Sequence, residues 1–338
     1  MNRHKRSAAP LQTATVFAIS LLFIMTALVG LYKCFSKPPQ VSEDLLTNAP
    51  NHLTALTPEE EDEALEPSSI TGQRKDHFYT ILITGLDDEN GGSDTNLLVA
   101  LDAKNGSINV LSLPRDTLLN VSWAVKKLNN AYHHGGIDRT KQEISNLLGI
   151  PVHFHITVNL RAFEKLVDEI GGVDFDVPLN MDYDDPYQDL HIHIPAGPRK
   201  LNGEEALKVV RWRQNNDGSG YATADIGRIG TQQAFLRAMA QQTLQLSNWD
   251  KIPHMAEIFF SHVDTDLELA NLIWIGEQAL TMGSGNIFFH TLPGDGAGYY
   301  KGGSYYTVDP QATLELINAY FNPHLEDLTP EDMDILVP

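Results

Sequence analysis

A second cysteine is missing from this chain of 338 residues: Cys34 stands alone. That excludes an intramolecular disulfide and any cysteine-rich zinc site. Positive charge is scarce as well, with 24 Lys and Arg against 44 Asp and Glu and a formal net charge of -20. A nucleic-acid partner is thereby excluded, because phosphate backbones are gripped through counterion release by clustered Lys and Arg. An anionic ligand, if there is one, needs a local basic cluster. No internal repeat is evident, and the glycine-dense stretch PGDGAGYYKGGS, Pro293 to Ser304, lacks the Gly-Lys-Ser/Thr ending of a phosphate-binding P-loop; it reads as a rim loop. Hydrophobic residues make up 42% of the chain, enough for one large or two ordinary domains.

From Leu11 to Tyr32 run 22 residues without a charge. At about 1.5 Å per helical residue this length crosses a hydrocarbon core of roughly 30 Å. Arg3, Lys5 and Arg6 precede it, so the positive-inside rule keeps residues 1–10 in the cytoplasm and sends the rest of the chain outside. The run is longer than an ordinary signal-peptide core and no Ala-x-Ala site follows it. Lys33 stands where lipid attachment at Cys34 would want a small residue. The expectation is an uncleaved single-pass anchor over residues 11–32 in the cell membrane, followed by a proline-containing acidic tether over 33–75 with its acidic block at Glu59 to Glu66. An extracytoplasmic domain over 76–322 and an acidic, disordered tail over 323–338 complete the expected organisation.

The domain opens with strand-like runs. Thr80 to Thr84 reads as a buried strand, and Leu97 to Asp102 and Ser107 to Leu113 form a hairpin across Asn105-Gly106. Pro114 ends the last of these because it has no N–H for a ladder, leaving Arg115 and Asp116 on a strand-end loop. Further on, helices are expected at Arg139 to Leu148, with Asp138 as N-cap and Gly149 as its stop, and at Leu160 to Ile170, stopped by Gly171 and Gly172. Val152 to Val158 and Val173 to Val177 read as strands, and Asn202 to Glu205 as a capping box. Asp225 opens a long helix to about Leu246; helices near Leu267 to Leu280 and Pro310 to Tyr320 and a strand at Asn286 to Thr291 follow. Alternating strands and helices imply a three-layer α/β sandwich with a mixed sheet, preceded by one transmembrane helix.

Two groups of residues carry chemistry. The acidic loop GLDDENGGSDT, Gly85 to Thr95, and the strand-end turn LSLPRDT, Leu111 to Thr117, are expected to meet at one sheet rim. Arg211, Arg213 and Arg228 supply the basic cluster, and Asp225, Arg228 and Gln232 share one face at a helix start, where exposed N–H groups favour an anion. Mg²⁺ is held by one or two carboxylates plus phosphate oxygens, and Arg matches phosphate with its planar fork. Asp87 and Asp94 as metal ligands, with Arg115, Arg211, Arg213 and Arg228 as clamps, make a diphosphate site.

In order and spacing, GLD, SDT, SLPRDT, KLNNAYHHGG, LVDEIGGVDFDVP, LNGEEALKVVRWR and DIGRIGTQQ resemble the LytR-CpsA-Psr family of cell-wall glycopolymer ligases, over roughly Phe78 to Leu246. The resemblance implies a phosphotransferase that moves an anionic polysaccharide or teichoic acid from undecaprenyl diphosphate to peptidoglycan through a phosphodiester. It carries Mg²⁺ to Asp87 and Asp94, diphosphate contacts to Arg115, Arg211, Arg213, Arg228 and Gln232 with Lys127 beside them, and proton handling to Asp116 or Asp225. The sequence departs from the family where many members have Arg: here stand Gly92 and Thr231. A diphosphatase acting on the lipid carrier, or a membrane-anchored binding or regulatory protein with a weakened site, are the competing readings. His191 and His193, like His153 and His155, alternate along strands; exposed strand faces account for them more simply than metal binding does. Trp212 is expected to turn away from its flanking arginines into the core.

Overall fold

The computed structural model describes residues 37–41, 73–86, 92–186, 190–221, 225–243 and 263–338. The expected membrane-spanning run Leu11 to Tyr32, most of the tether and Asp87 lie outside them. Among the described residues no helix is long and apolar enough to cross a membrane.

At the centre lies β1 (Phe78–Leu86), whose sequence FYTILITGL leaves eight consecutive residues buried, as a strand covered on both faces requires. It pairs antiparallel with β2 (Ser93–Asp102) and parallel with β4 (Phe154–Val158). β3 (Ser107–Leu113) follows β2 through the Asn105-Gly106 turn, where Gly106 takes φ 74°. With β9 (Val263–Thr265) and β10 (Ile287–Thr291) the order is β10-β3-β2-β1-β4-β9, a mixed sheet.

Period-two alternation sends side chains to opposite faces. Ile81, Ile83, Val99 and Val110 face a cluster with Phe163 and Leu166 of α2 (Leu160–Glu169), Val209 and Val210 of α3 (Gly203–Arg211), Phe235 and Met239 of α4 (Asp225–Thr243) and Leu272 and Ile275 of α5 (Leu269–Met282). Leu82, Leu98 and Leu111 face the other, with Ile144 and Leu147 of α1 (Leu128–Leu148) and Ile317 of α6 (Pro310–Tyr320). Helices thus cover both faces. Between α2 and α3 lie β5 (Val173–Val177), paired with β8 (Gly197–Leu201), and the hairpin of β6 (Met181–Asp185) and β7 (Leu190–Ile194).

Local signals place most element ends. Asn202 accepts from the Glu205 N–H while Glu205 reaches back to the Asn202 N–H, the reciprocal capping box that opens α3. One helix begins earlier than its sequence pattern implies. α1 runs from Leu128, with Gly135 and Gly136 leaving helical geometry inside it, so Asp138 follows a kink instead of capping a new start.

Two expectations about the chain's edges are corrected. Residues 323–338 are ordered: Leu328 and Met333 are buried, the Leu328 N–H donates to Asn318 Oδ1 at 2.8 Å, and the Asp334 N–H donates to the Asn146 carbonyl at 2.8 Å. Their apolar residues have a groove by α1 and α6 to fill, and burying them offsets the ordering cost that their acidic composition suggested would prevail. Nor is the tether wholly a solvated spacer. Lys37 donates its N–H to the Ala270 carbonyl at 3.2 Å, Val41 packs on the core, and Arg74 bridges His324.

Candidate functional site at one rim of the sheet

The strand directions gather the site's loops at one end. Leu86 of β1 pairs Ser93 of β2, Asn96 pairs Leu113 of β3, Ser112 pairs Thr291 of β10, and Gly85 pairs Val158 of β4. The carboxyl ends of β1, β3, β4 and β10 and the start of β2 therefore share one rim, which is where open α/β sheets bind ligands.

At this rim Pro114 to Thr117 forms a tight turn, closed by the Thr117 N–H and Oγ1 donating to the Pro114 carbonyl at 3.0 and 2.5 Å. The Arg115 carbonyl accepts from the Asn129 N–H in the first turn of α1, and the Asp116 carbonyl from the Tyr306 N–H, each at 2.9 Å. Both sides of the turn are pinned, so its side chains are aimed by backbone bonds. Arg115 Nε lies 3.4 Å and Lys127 Nζ 3.2 Å from Asp116 Oδ1, and Lys127 sits over the Tyr305 ring at 5.7 Å. The sequence-predicted Arg115, Asp116 and Lys127 are thus brought together. Tyr305 and Tyr306 were missed; their signal was an aromatic pair directly after the glycine-dense loop, which follows β10 and is stapled to the Arg115 turn through Tyr306. That loop is a rim loop, as expected.

Next to the turn, β1 and β2 slip register between Gly85 and Leu86, so Thr95 pairs Gly85, Ser93 pairs Leu86, and Asp94 is the extra residue of a bulge. The side chains of Asp94 and Asp225 lie outside what the structure describes, as does Asp87 altogether. Around the bulge the polar residues are buried: Ser93, Thr95 and Asn96, with Asn96 Nδ2 donating to Ser93 Oγ at 3.1 Å. The Thr95 hydroxyl is buried with no hydrogen-bond partner among the described residues. Gly92 is buried too, and a Cβ there would meet His133 Nε2 of α1 at 3.2 Å. His133 occupies the space into which a longer side chain at 92 would grow.

Arg211 ends α3, Arg213 follows it, and Arg228 lies in the first turn of α4; the Nε of all three is buried. Trp212 between the arginines is fully buried, stacks edge-on with Tyr221 at 5.0 Å and donates Nε1–H to Asn215 Oδ1, as core placement implies. Burial pushes the Tyr221 hydroxyl's pKa up, against the opposing pull of a bond with Thr231 and the charge of Arg228. Here lies the reason for two small residues on α4. A Cβ on Gly227 would come within 2.5 Å of Tyr221 Cβ, and Thr231 is buried, so Tyr221 fills the volume that a larger side chain at 231 would need. Gln232 is also buried and donates its amide to the Val210 carbonyl at 3.2 Å, bracing α4 on α3. Its neighbour Gln233 donates to Thr291 Oγ1 at 3.4 Å, which ties the arginine-bearing helix to the rim beside β3.

The histidines divide. His153 is buried and accepts the Thr80 N–H, while His155 faces Asp266 at 3.0 Å, so neither pair member is free to ligate beside the other. His191 and His193 are exposed on β7.

A model of the LytR_cpsA_psr family matches residues 45–321. The chain belongs to this family. Its similarity extends well beyond the motif-bearing stretch in both directions. TagV of Bacillus subtilis (strain 168), a polyisoprenyl-teichoic acid–peptidoglycan teichoic acid transferase, is 32% identical over 265 residues, 75% of this chain and 66% of the relative. The chain thus spans just under two thirds of that relative's length. TagU of Bacillus cereus (strain ATCC 14579), whose name gives the same activity, is 29% identical over 257 residues, 75% of this chain and 80% of its own. Among solved structures, B. subtilis TagV superposes with a TM-score of 0.59 at 29% identity, covering 71% of this chain and 94% of that one. B. subtilis TagU does so with a TM-score of 0.51 at 25% identity, covering 77% and 99%. The mixed central sheet is the LytR_cpsA_psr fold.

Proposed function

We propose that this chain is a transferase that moves a wall glycopolymer, such as a teichoic acid, onto peptidoglycan. Its donor in this reading is the polymer on undecaprenyl diphosphate, and the product a phosphodiester. Family membership and the relatives' transferase names support the reaction class. The observation that carries the site is the shared rim: the pinned Arg115 turn with Lys127 beside it, the Asp94 bulge next door, and α4 tied to the same rim through Gln233.

Asp87 and Asp94 would hold Mg²⁺. The donor set fits a hard cation that takes oxygen ligands, and the buried Thr95 hydroxyl adds an unsatisfied oxygen beside Asp94. When bound, the ion neutralises charge on the diphosphate oxygens. Arg115 and Lys127 bind and orient the diphosphate from one side, and Arg211, Arg213 and Arg228 from the other. An acceptor hydroxyl on peptidoglycan attacks the sugar-side phosphorus, the bridging P–O bond breaks, and undecaprenyl phosphate leaves. Asp116 or Asp225 takes the hydroxyl proton. Leu11 to Tyr32 would anchor the enzyme in the membrane that carries the donor, with residues 1–10 in the cytoplasm and the catalytic part outside.

The test is reconstitution of the full chain with an undecaprenyl-diphosphate glycopolymer and peptidoglycan. Coupled polymer that requires Mg²⁺ and disappears in Asp94→Ala and Arg115→Ala is the expected result. Release of free polymer without coupling would make the chain a diphosphatase instead, and undiminished coupling in both variants would overturn the site.

A further inference from the structure

The outer face of the β6–β7 hairpin carries four side chains that the rim site does not use. Strand alternation buries Met181, Leu190, Ile192 and Ile194 and leaves Asp182, Asp184, His191 and His193 outward. Register puts Asp182 opposite His193 and Asp184 opposite His191. His191 Nδ1 lies 2.5 Å from Asp184 Oδ1, and His193 Nδ1 lies 2.6 Å from Asp182 Oδ1. Two isolated ion pairs would leave Asp184 to His191 alone. Instead His193 Nε2 also approaches Asp184 Oδ1, at 3.4 Å. One donor atom each from Asp184, His191 and His193 then falls within 4.8 Å of the others.

We propose that Asp184, His191 and His193, with Asp182 beside them, bind a divalent transition ion of the Zn²⁺ class at a site separate from the rim. A tetrahedral ion with N and O donors at about 2.0–2.1 Å spaces its ligands roughly 3.3 Å apart, so small side-chain rotations bring these three into place. Imidazole with carboxylate suits Zn²⁺, Cu²⁺ or Ni²⁺, whereas Mg²⁺ and Ca²⁺ prefer oxygen alone.

The ligand strand is also braced from the side away from β7. The N–H groups of Asp182 and Asp184 donate to Asn215 Oδ1 and Asn216 Oδ1, both at 2.6 Å, and Asn216 Nδ2 returns a bond to the Asp184 carbonyl. Backbone held in this way keeps two ligands at fixed separation, the preorganisation a metal site needs. The bracing residues lie two and three positions after Arg213 in the chain, so an ion here stiffens the strand on which the arginine loop hangs.

The experiment is calorimetric titration of the full chain with ZnCl₂ in a millimolar excess of Mg²⁺, which occupies any oxygen-only site. Wild type is expected to take up one equivalent saturably, and His191→Gln with His193→Gln to weaken binding at least tenfold. Asp184→Asn, which keeps both imidazoles and the side chain's shape, is expected to weaken it as well. Saturating Zn²⁺ should raise the melting temperature of wild type by about 5 °C and leave the variants unchanged, their metal-free melting temperatures reporting an intact fold. Equal Zn²⁺ affinity in wild type and variants, or no saturable uptake by wild type, overturns the proposal. Loss of polymer transfer without change in Zn²⁺ binding bears on the rim and leaves this site standing.

Discussion

Lys127 Nζ and Arg115 Nε share a single carboxylate oxygen, Asp116 Oδ1, at 3.2 and 3.4 Å. Two cations that would otherwise repel each other are held side by side at the sheet rim, and the carboxylate between them is half-exposed. Asp116 is thus placed as an orienting partner of two cationic side chains.

Removing the groups of this trio should therefore have unequal effects. Arg115→Ala is expected to lower the transfer rate by about 10²–10³-fold, the usual consequence of deleting a donor to developing charge. For Asp116→Asn the expected loss is about tenfold, appearing mainly as a raised KM for the donor, because the amide keeps the shape and loses the charge that spaces the cations. Steady-state kinetics with the reconstituted donor separates the two. A loss in Asp116→Asn as large as in Arg115→Ala, confined to kcat and accompanied by a vanished acidic limb in the pH profile, would make Asp116 the proton acceptor and not the spacer.

A buried histidine gives stability its own pH dependence. Burial foremost, then the charges of Arg74, His324 and Lys141, bring His153 down to about 3 from its ordinary 6.5. A group whose folded pKa is depressed adds stability that is whole above the unfolded value and is lost as pH falls toward the folded one. The unfolding free energy should therefore decline by about 1.4 kcal/mol per pH unit across the interval from 6 to 4 through this residue alone. His153→Gln removes that slope at the cost of lower stability at neutral pH. Asp266 acts in a more acidic window. Burial raises its pKa, but bonds from the His155 side chain and N–H and the Lys141 ammonium outweigh this and bring it to about 2, so its contribution is lost between about pH 4 and pH 2. Urea unfolding across pH, comparing wild type with His153→Gln and Asp266→Asn, should show slopes changed in those separate intervals.

The ordered tail should act as part of the fold. Deleting residues 327–338 removes the buried Leu328 and Met333 and is expected to cost about 3–6 kcal/mol on area grounds, an upper figure because the unfolded chain already hides some surface. Gly149, which ends α1 at φ 69°, lies under this tail: a Cβ there would meet the Asp332 carbonyl oxygen at 2.7 Å. Gly149→Ala should cost more in the full chain than in the truncated one, where only the backbone cost of about 1 kcal/mol persists. Equal costs in the two backgrounds would mean that the tail does not rest on Gly149 in solution.

Much of the architecture was legible because its causes are local. The Asn105-Gly106 turn, the Asn202 capping box, the Gly149 stop and the Pro310 helix start each depend on residues within a few positions of one another, and strand alternation already sorted Trp212 into the core. Pro114 alone dictated that Arg115 stands on a loop at a strand's end. The order of the motifs along the chain is by itself enough to mark the family.

What needed the tertiary structure were meetings between distant segments. That Asp116 faces Lys127 and Tyr306, that Gln233 reaches Thr291, that His133 backs Gly92, and that Asp182 and Asp184 stand opposite His193 and His191 follows from strand order and register, which no local pattern encodes. The tail and the kinked start of α1 were misjudged for the same reason. Local composition reports whether a segment can order itself, whereas burial against a distant groove or loop decides whether it does, because the apolar area removed from water belongs to both partners at once.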